Sequence, residues 1–207
     1  MSQTSERKQV TVDTYNKSAK ELAEYFRGIG SRVRDIDLAI RLSDKLDNPF
    51  VVEIGCGDGR DAKEIIKRTN NYIGFDISKE LIKLAKKYVP KAYFEVADAI
   101  NYKYPNNIDV VFAFASLLHL DKKEVKNVLE KVHTALRLGG IFYISLKLRT
   151  EYYEEIKEDK YGKRMFYYYN PEIITNLAGV GYEIVRNSKS SVDGSTSKWF
   201  EIALRKV

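Results

Sequence analysis

Apolar positions set the first element. Val12, Tyr15, Ala19, Leu22, Ala23 and Phe26 recur at helical spacing, and Gly28 stands where such a helix would stop. A second helix is predicted from Ser31 as N-cap, burying Val33, Ile36, Ile40 and Leu42 and ending before Asn48-Pro49. Two helices are therefore expected before any strand. From Phe50 the pattern turns into alternating short apolar runs and amphipathic stretches. Strands are predicted over 50–54, 72–75, 92–97, 108–113 and 141–146. Helices are predicted between them over 61–68, from a Ser78 cap through Leu81, Ile82 and Ala85, and from Asp121. The spacing of Asp121 and Glu124 is that of a capping box, Val125, Val128, Leu129 and Val132 share one face, and Gly139-Gly140 is read as the stop.

Asn170-Pro171 has the form of an N-cap followed by N1, opening a helix that ends at Gly179. The last two apolar stretches, 182–185 and 198–204, have no helix between them and are expected to pair as an antiparallel hairpin. Strands alternating with helices give an α/β fold, a parallel doubly wound sheet covered on both faces. No internal repeat and no long linker divides the chain. One domain over 1–207 is expected, with 1–47 as helices covering a site and 48–207 as the core.

Composition narrows the class. The 207 residues carry 35 Lys+Arg against 29 Asp+Glu, a net charge of +6, with 44% hydrophobic residues. That balance suits a folded soluble domain, and 12 Gly with 4 Pro excludes collagen-like and low-complexity chains. The longest nearly apolar run, 110–118, is far below the roughly 18 residues a membrane span needs. The polar opening, Met1 to Lys8, leads into no apolar stretch, so a cytoplasmic location is expected. Basic residues alternate with acidic ones along the helices, which reads as a solvated surface more than a nucleic-acid face. Cys56 is the only cysteine and His119 and His133 the only histidines, so no intrachain disulfide or Cys/His zinc cluster can form. No metal is expected. His133, inside a helix beside Lys131 and Thr134, is expected at the surface.

The candidate chemistry sits at the first strand-to-helix turn, Glu53-Ile54-Gly55-Cys56-Gly57-Asp58-Gly59. Glycines allow a sharp turn and close approach of a ligand, and the following helix start offers free N–H groups to an anion. Asp76, 23 residues past Glu53, ends the second strand where a carboxylate can accept from ribose hydroxyls, and Asp98 ends the third likewise. A dinucleotide G-x-G-x-x-G would need glycine where Arg60 stands, and no Gly-Lys-Ser/Thr phosphate loop occurs.

The turn resembles the E-x-G-x-G-x-G signature of class I S-adenosylmethionine (SAM) dependent methyltransferases, with a similarity running from about Tyr15 to Lys206. Finer features resemble small tellurite-resistance-type or type 11/12 members: Tyr15 before a helix, Ser116 to Leu120 after the fourth strand, and the aromatic run Phe166-Tyr167-Tyr168-Tyr169 before Asn170-Pro171-Glu172. The resemblance implies a Rossmann-like three-layer fold whose seven-stranded sheet is ordered 3-2-1-4-5-7-6 with the last strand antiparallel. It implies SAM as cofactor and S-adenosylhomocysteine (SAH) as product. Cofactor contacts would come from Tyr15, Glu53, Gly55, Cys56, Gly57, Asp58, Gly59, Arg60, Asp61, Asp76, Ile77, Asp98, Ala99 and Ala113. Among these, Asp76 would hold ribose, Asp98 the adenine amino group, and Arg60-Asp61 the aminocarboxyl end, although Arg60 reads equally as an exposed first-turn residue.

On the substrate side three residues are candidates. His119 is read as a general base or acceptor-orienting group, or else as a packing histidine. Lys147 would meet an acidic substrate or lie solvated at a strand end. Tyr168 belongs to an aromatic wall of which at most two of Tyr167, Tyr168 and Tyr169 can face one pocket. Tyr15 either closes over the cofactor or fills the apolar stripe. Cys56 in a Gly turn reads as a small buried residue and not a nucleophile. The expected reaction is methyl transfer to O or N of a small molecule by a monomer or homodimer. An RNA methyltransferase and a non-catalytic SAM-binding protein are the alternatives. With no Asn-Pro-Pro-Tyr motif after the fourth strand and no Pro-Cys pair, the resemblance disfavours adenine-N6, glutamine-N5 and cytosine-C5 methylation.

Overall fold

The computed structural model describes residues 3–191 and 198–207; Met1 and Ser2 of the polar opening lie outside the described residues. A seven-stranded sheet forms the centre. Its strands are β1 (Val51–Ile54), β2 (Tyr72–Asp76), β3 (Tyr93–Val96), β4 (Ile108–Phe114), β5 (Leu136–Lys147), β8 (Tyr182–Ser191) and β9 (Lys198–Lys206). Their order is β3-β2-β1-β4-β5-β9-β8. β1 to β5 run parallel, and β9 is antiparallel to both β5 and β8. This is the Rossmann-like arrangement expected, with the numbering raised by an inserted hairpin, β6 (Tyr153–Asp159) and β7 (Gly162–Tyr168).

Both faces of the sheet are covered, so the central strands are apolar throughout. Every residue of β1 and β4 is buried. Side chains alternate between two cores. Val110 and Phe112 pack with Ile36, Ala39, Ile65 and Ile82, while Val111 and Ala113 pack with Val125, Leu129 and Ile174. The first layer comprises α3 (Val33–Leu42), α4 (Ala62–Ile65) and α5 (Lys79–Tyr88); the second comprises α6 (Lys122–Ala135) and α7 (Pro171–Ala178). The cap expectations at α5, α6 and α7 hold. Ser78 Oγ accepts from Leu81 N, Asp121 and Glu124 make the reciprocal capping box, and Asn170 Oδ1 accepts from Ile173 N.

Three helices, not two, precede β1. The stripe from Val12 to Phe26 is divided between α1 (Gln3–Lys17) and α2 (Ala19–Ile29). The break is at Ser18, whose backbone leaves helical geometry (φ −107, ψ 27) and whose hydroxyl donates to Tyr161 O. A tertiary partner thus ends a helix the apolar spacing would carry on. α2 continues past Gly28 to a turn at Gly30 (φ +85). α3 is not capped by Ser31, because that hydroxyl donates to Arg60 O; Asp61 instead accepts from Arg32 N, 2.8 Å away.

Other boundaries move for local reasons. α4 covers only four residues of the expected 61–68, since Lys67 and Arg68 close i,i+3 bonds to Glu64 and Ile65. α6 ends at Ala135 and β5 starts at Leu136, paired with Ile108. The two glycines read as a helix stop lie inside the strand, at a register shift against β4, with Gly139 at φ +76. The β6-β7 hairpin is absent from the sequence expectation because β6 is mostly charged and exposed, so it shows no apolar alternation. His133 is half-buried and not a surface residue. Its Nε2 donates to Gly181 O at 3.0 Å, and its ring meets Tyr182 edge-on, because the start of β8 folds onto α6.

Among the described residues no helix is long and apolar enough to cross a membrane, and no group of His, Cys, Asp and Glu could hold a metal ion.

Candidate active site

The carboxyl ends of β1, β2, β4 and β5 open into one cavity of about 760 Å³, roofed by α1 and α2 and walled on one side by β7. Crevices at this edge are where open α/β sheets bind ligands.

The Gly loop shapes one end. Gly55 N and Cys56 N both donate to Phe75 O, turning the chain away from β1. Gly55 has φ +70, and a Cβ there would lie 2.3 Å from Ser116 Cβ, so only glycine fits between the loop and the segment after β4. Gly57 has φ +56, and a Cβ there would meet nothing within 4 Å. It therefore leaves bare backbone facing open space on the cavity wall. Gly57 N donates to Asp76 Oδ2 (3.0 Å) and Ser78 N to Asp76 Oδ1 (2.8 Å). Burial pushes the Asp76 carboxyl up to about 6 against these backbone donors.

Deeper under the loop lies a charge cluster. Asp61 bridges Arg32 and Arg60, and Arg27 Nε lies 2.5 Å from Asp58 Oδ2. Arg60 is consequently not an exposed first-turn residue. Burial, then the charge of Asp61, pushes Glu53 up to about 8, and Tyr72 donates its hydroxyl to Glu53 at 2.5 Å. Cys56 lines the cavity, but burial and the acids Glu53 and Asp76 drive its thiol up, which keeps it protonated. Asp98 at the far side holds Lys8 of α1 at 2.7 Å, and Lys8 reaches Glu124 at 3.5 Å.

The other end of the cavity is built around His119, in a 3₁₀ turn after β4. Its Nδ1 lies 2.6 Å from Met165 O, and a carbonyl can only accept, so Nδ1 carries the proton. Nε2 then accepts from the Tyr15 hydroxyl at 2.8 Å. Burial lowers the His119 pKa to about 3 and holds the ring neutral. Ala115, between β4 and the turn, sits at φ +54, an uncommon backbone for a residue with a side chain. Beside it Ser116 Oγ is buried with no hydrogen-bond partner among the described residues. Lys147 closes this end from β5, 4.2 Å from the Phe166 ring centroid; burial, then Lys157 and Arg164, lower it to about 8.

The chain was compared with known proteins. Residues 51–140 match the family described as Methyltransferase domain, a span from β1 into β5 that carries the Gly loop, Asp76, Asp98 and His119. The stretch from β1 into β5 is thus similar to a methyltransferase domain. A protein of Methanocaldococcus jannaschii is 29% identical to it over 64% of this chain and 49% of its own length. The chain spans half or less of the length of the first curated relatives it matches. Among solved structures, 1,6-didemethyltoxoflavin-N1-methyltransferase of Burkholderia thailandensis, with 1,6-didemethyltoxoflavin and SAH bound, is similar with a TM-score of 0.76 at 16% identity, over 100% of this chain and 92% of that one. A TehB-like SAM-dependent methyltransferase of Corynebacterium glutamicum has a TM-score of 0.67 at 19% identity over 91% and 98%. At these identities the likeness establishes the fold.

The similar Corynebacterium glutamicum protein is SAM-dependent, and the cavity of this chain offers SAM a suitable cradle. Gly57 leaves open space where a Cβ would stand, Ser116 Oγ lacks a partner among the described residues, and carboxylates end β2 and lie beyond β3. Of the residues expected at the cofactor, Tyr15, Glu53, Gly55, Cys56, Gly57, Asp58, Arg60, Asp61, Asp76, Ile77, Asp98 and Ala99 line the one cavity. Two do not. Gly59 packs toward Val89, Phe94 and Ala85, and Ala113 faces the α6 side of the sheet, leaving Phe114, Ala115 and Ser116 at the cavity. His119 and Lys147 line it as well, whereas Tyr168 does not. Tyr168 shares the Phe166 face of β7 but lies one step beyond the cavity, its hydroxyl donating to Glu155 and its ring beneath Arg149.

Sequence reasoning passed over Lys8, Arg32, Arg164 and Trp199, all of which line the cavity. Arg164 was findable only through the turn at Asp159-Lys160-Tyr161-Gly162, which joins a charged stretch to the aromatic run and so marks a hairpin.

Proposed function

We propose that the chain transfers a methyl group from SAM to an oxygen or nitrogen of a small molecule held in the same cavity, releasing SAH. The observation that carries this reading is the continuity of the cavity from Gly57 and Asp76 to His119 and Lys147 beneath α1 and α2. A roofed space of this size suits a cofactor with a small acceptor; an RNA would need an open face. The structural neighbour from Burkholderia thailandensis holds a small heterocycle alongside SAH, which supports the same class of acceptor.

SAM, when bound, supplies a methyl group on a positively charged sulfur. Asp76 would hold the ribose hydroxyls, because each carboxylate oxygen takes one backbone N–H and retains capacity for a second donor. Asp98 would meet the adenine edge, Arg32, Arg60 and Asp61 the aminocarboxyl end, and Ser116 Oγ a polar atom of the bound pair. Tyr15 and the α1 roof exclude water, and alignment in a dry site is the main source of acceleration for an in-line transfer. His119 with its lowered pKa is a poor resting base. Its lone pair, already committed to Tyr15, serves to orient the Tyr15 hydroxyl or an acceptor hydroxyl or amine that replaces it.

The test is transfer of labelled methyl from SAM into cell extract, partitioned into small molecules, protein and RNA, with Asp76→Ala protein as control. Label among small molecules is expected. Label confined to RNA overturns the acceptor class, and SAM binding without label in any fraction overturns the enzymatic reading.

A further inference from the structure

The substrate end of the cavity holds two cations whose hydrogen-bonding capacity the protein leaves partly unused. Arg164 is 8% exposed; one terminal nitrogen pairs with Asp159, yet its Nε is buried without a partner among the described residues. A buried donor left unpaired costs free energy that a ligand acceptor would recover. Lys147, half-buried at the end of β5, makes no ion pair among the described residues. Both cations converge on one ring, with Lys147 Nζ 4.2 Å and Arg164 Cζ 5.4 Å from the Phe166 centroid. Like charges gathered about one ring in a partly dry space repel, and an anion that reaches both would offset that repulsion.

We propose that the methyl acceptor is a planar aromatic acid whose carboxylate is seated by Lys147 and Arg164. This deepens the methyl-transfer reading of the same cavity and rests on it. The charge count favours a single negative charge. Asp159 neutralises one of the two cations, and Lys160 and Glu201, which also line the cavity, offset each other in the count. Glu201 is already engaged by the hydroxyls of Ser188 and Ser190, at 3.2 and 2.8 Å. The walls suit a flat ring. Phe166 lies 4.9 Å from the His119 ring, Tyr15 meets His119 edge-on at 5.4 Å, and the Trp199 ring is 6.0 Å from Lys147 Nζ. An acid anchored over Phe166 puts the rest of its ring beside His119 and Tyr15. There a ring hydroxyl or amine would face the position that the Tyr15 hydroxyl now occupies. Binding through a non-reacting carboxylate fixes the reacting atom, a use of remote binding energy that raises the rate of transfer.

The experiment uses the full chain loaded with SAH and titrated calorimetrically with 4-hydroxybenzoate and 4-hydroxybenzamide, two probes of nearly the same shape, one with an anionic acceptor pair and one with a neutral amide at the carboxyl carbon. The acid is expected to bind at least about tenfold tighter, Lys147→Met and Lys147→Gln to abolish that preference, and Lys147→Arg to retain it. SAH affinity, measured separately in each variant, reports that the protein is folded and that the cofactor end is intact. Equal binding of acid and amide, no binding of the acid, or a preference surviving both neutral substitutions overturns the carboxylate seat while SAH still binds. Failure of the unaltered protein to bind SAH overturns the methyl-transfer reading itself, a distinguishable result.

Discussion

The hydroxyl of Tyr15 lies 2.8 Å from Nε2 of His119, tying α1 to the turn after β4 across 104 positions of sequence. The same histidine donates from Nδ1 to Met165 O, so one neutral ring joins the N-terminal helix, the sheet edge and the β6-β7 hairpin. The roof of the cavity is fastened through it.

Removing the hydroxyl should loosen that roof. Tyr15→Phe leaves Nε2 of a buried histidine without a donor, and a loss of about 1–2 kcal/mol of stability is expected. Urea unfolding checks the value. An unchanged midpoint and slope would show that Tyr15 contributes only its ring.

Acid should act through His119. The folded ring takes up its second proton only near pH 3, while the unfolded chain titrates near the ordinary value of 6.5. Between these the unfolded state binds the extra proton, so this contribution to stability is present above pH 6.5 and is lost as pH falls toward 3. For a full proton the slope approaches about 1.4 kcal/mol per pH unit. His119→Gln should flatten the difference in stability between pH 7 and pH 5 relative to the unaltered chain, and equal acid sensitivity of the two would falsify the assignment.

Two neighbouring glycines should fail differently. Gly55→Ala drives a Cβ against Ser116 from a left-handed backbone and is expected to cost about 2–4 kcal/mol of folding stability. At Gly57→Ala the new methyl meets no protein atom, so the backbone strain of about 1–2 kcal/mol is the main folding cost. The methyl would enter the space proposed for the cofactor. Thermal unfolding without SAM, set against SAM affinity, separates the two: Gly55→Ala shows chiefly in the former, Gly57→Ala chiefly in the latter.

Asp76→Ala should weaken SAM on the order of 10- to 100-fold, the value of hydrogen bonds to a charged acceptor. Since the carboxyl is pushed up to about 6, SAM affinity of the unaltered chain should also decline as pH drops through that value, where protonation removes acceptor capacity. Calorimetry across pH 5 to 8 checks both. Flat affinity over that range would mean that Asp76 meets no ribose.

The sequence by itself determined the order of the parallel units, the Gly loop and the acids at strand ends. Each of these depends on local rules: apolar runs the length of a strand, caps at fixed offsets, and glycine where φ is positive. Asp76, Asp98 and His119 were legible because strand ends in such a sheet share one edge. Tertiary structure alone decided where α1 breaks, since Ser18 stops the helix by donating to a carbonyl of a distant hairpin. It alone showed β6, a charged strand held by pairing with β7 and not by burial of its own side chains. It alone carried Tyr168 past the cavity and brought Arg164 and Phe166 into it, because which residue of an aromatic run faces a site depends on hairpin register. Local propensity reads one segment at a time, whereas the cavity wall is made by three segments that meet only after the sheet has closed.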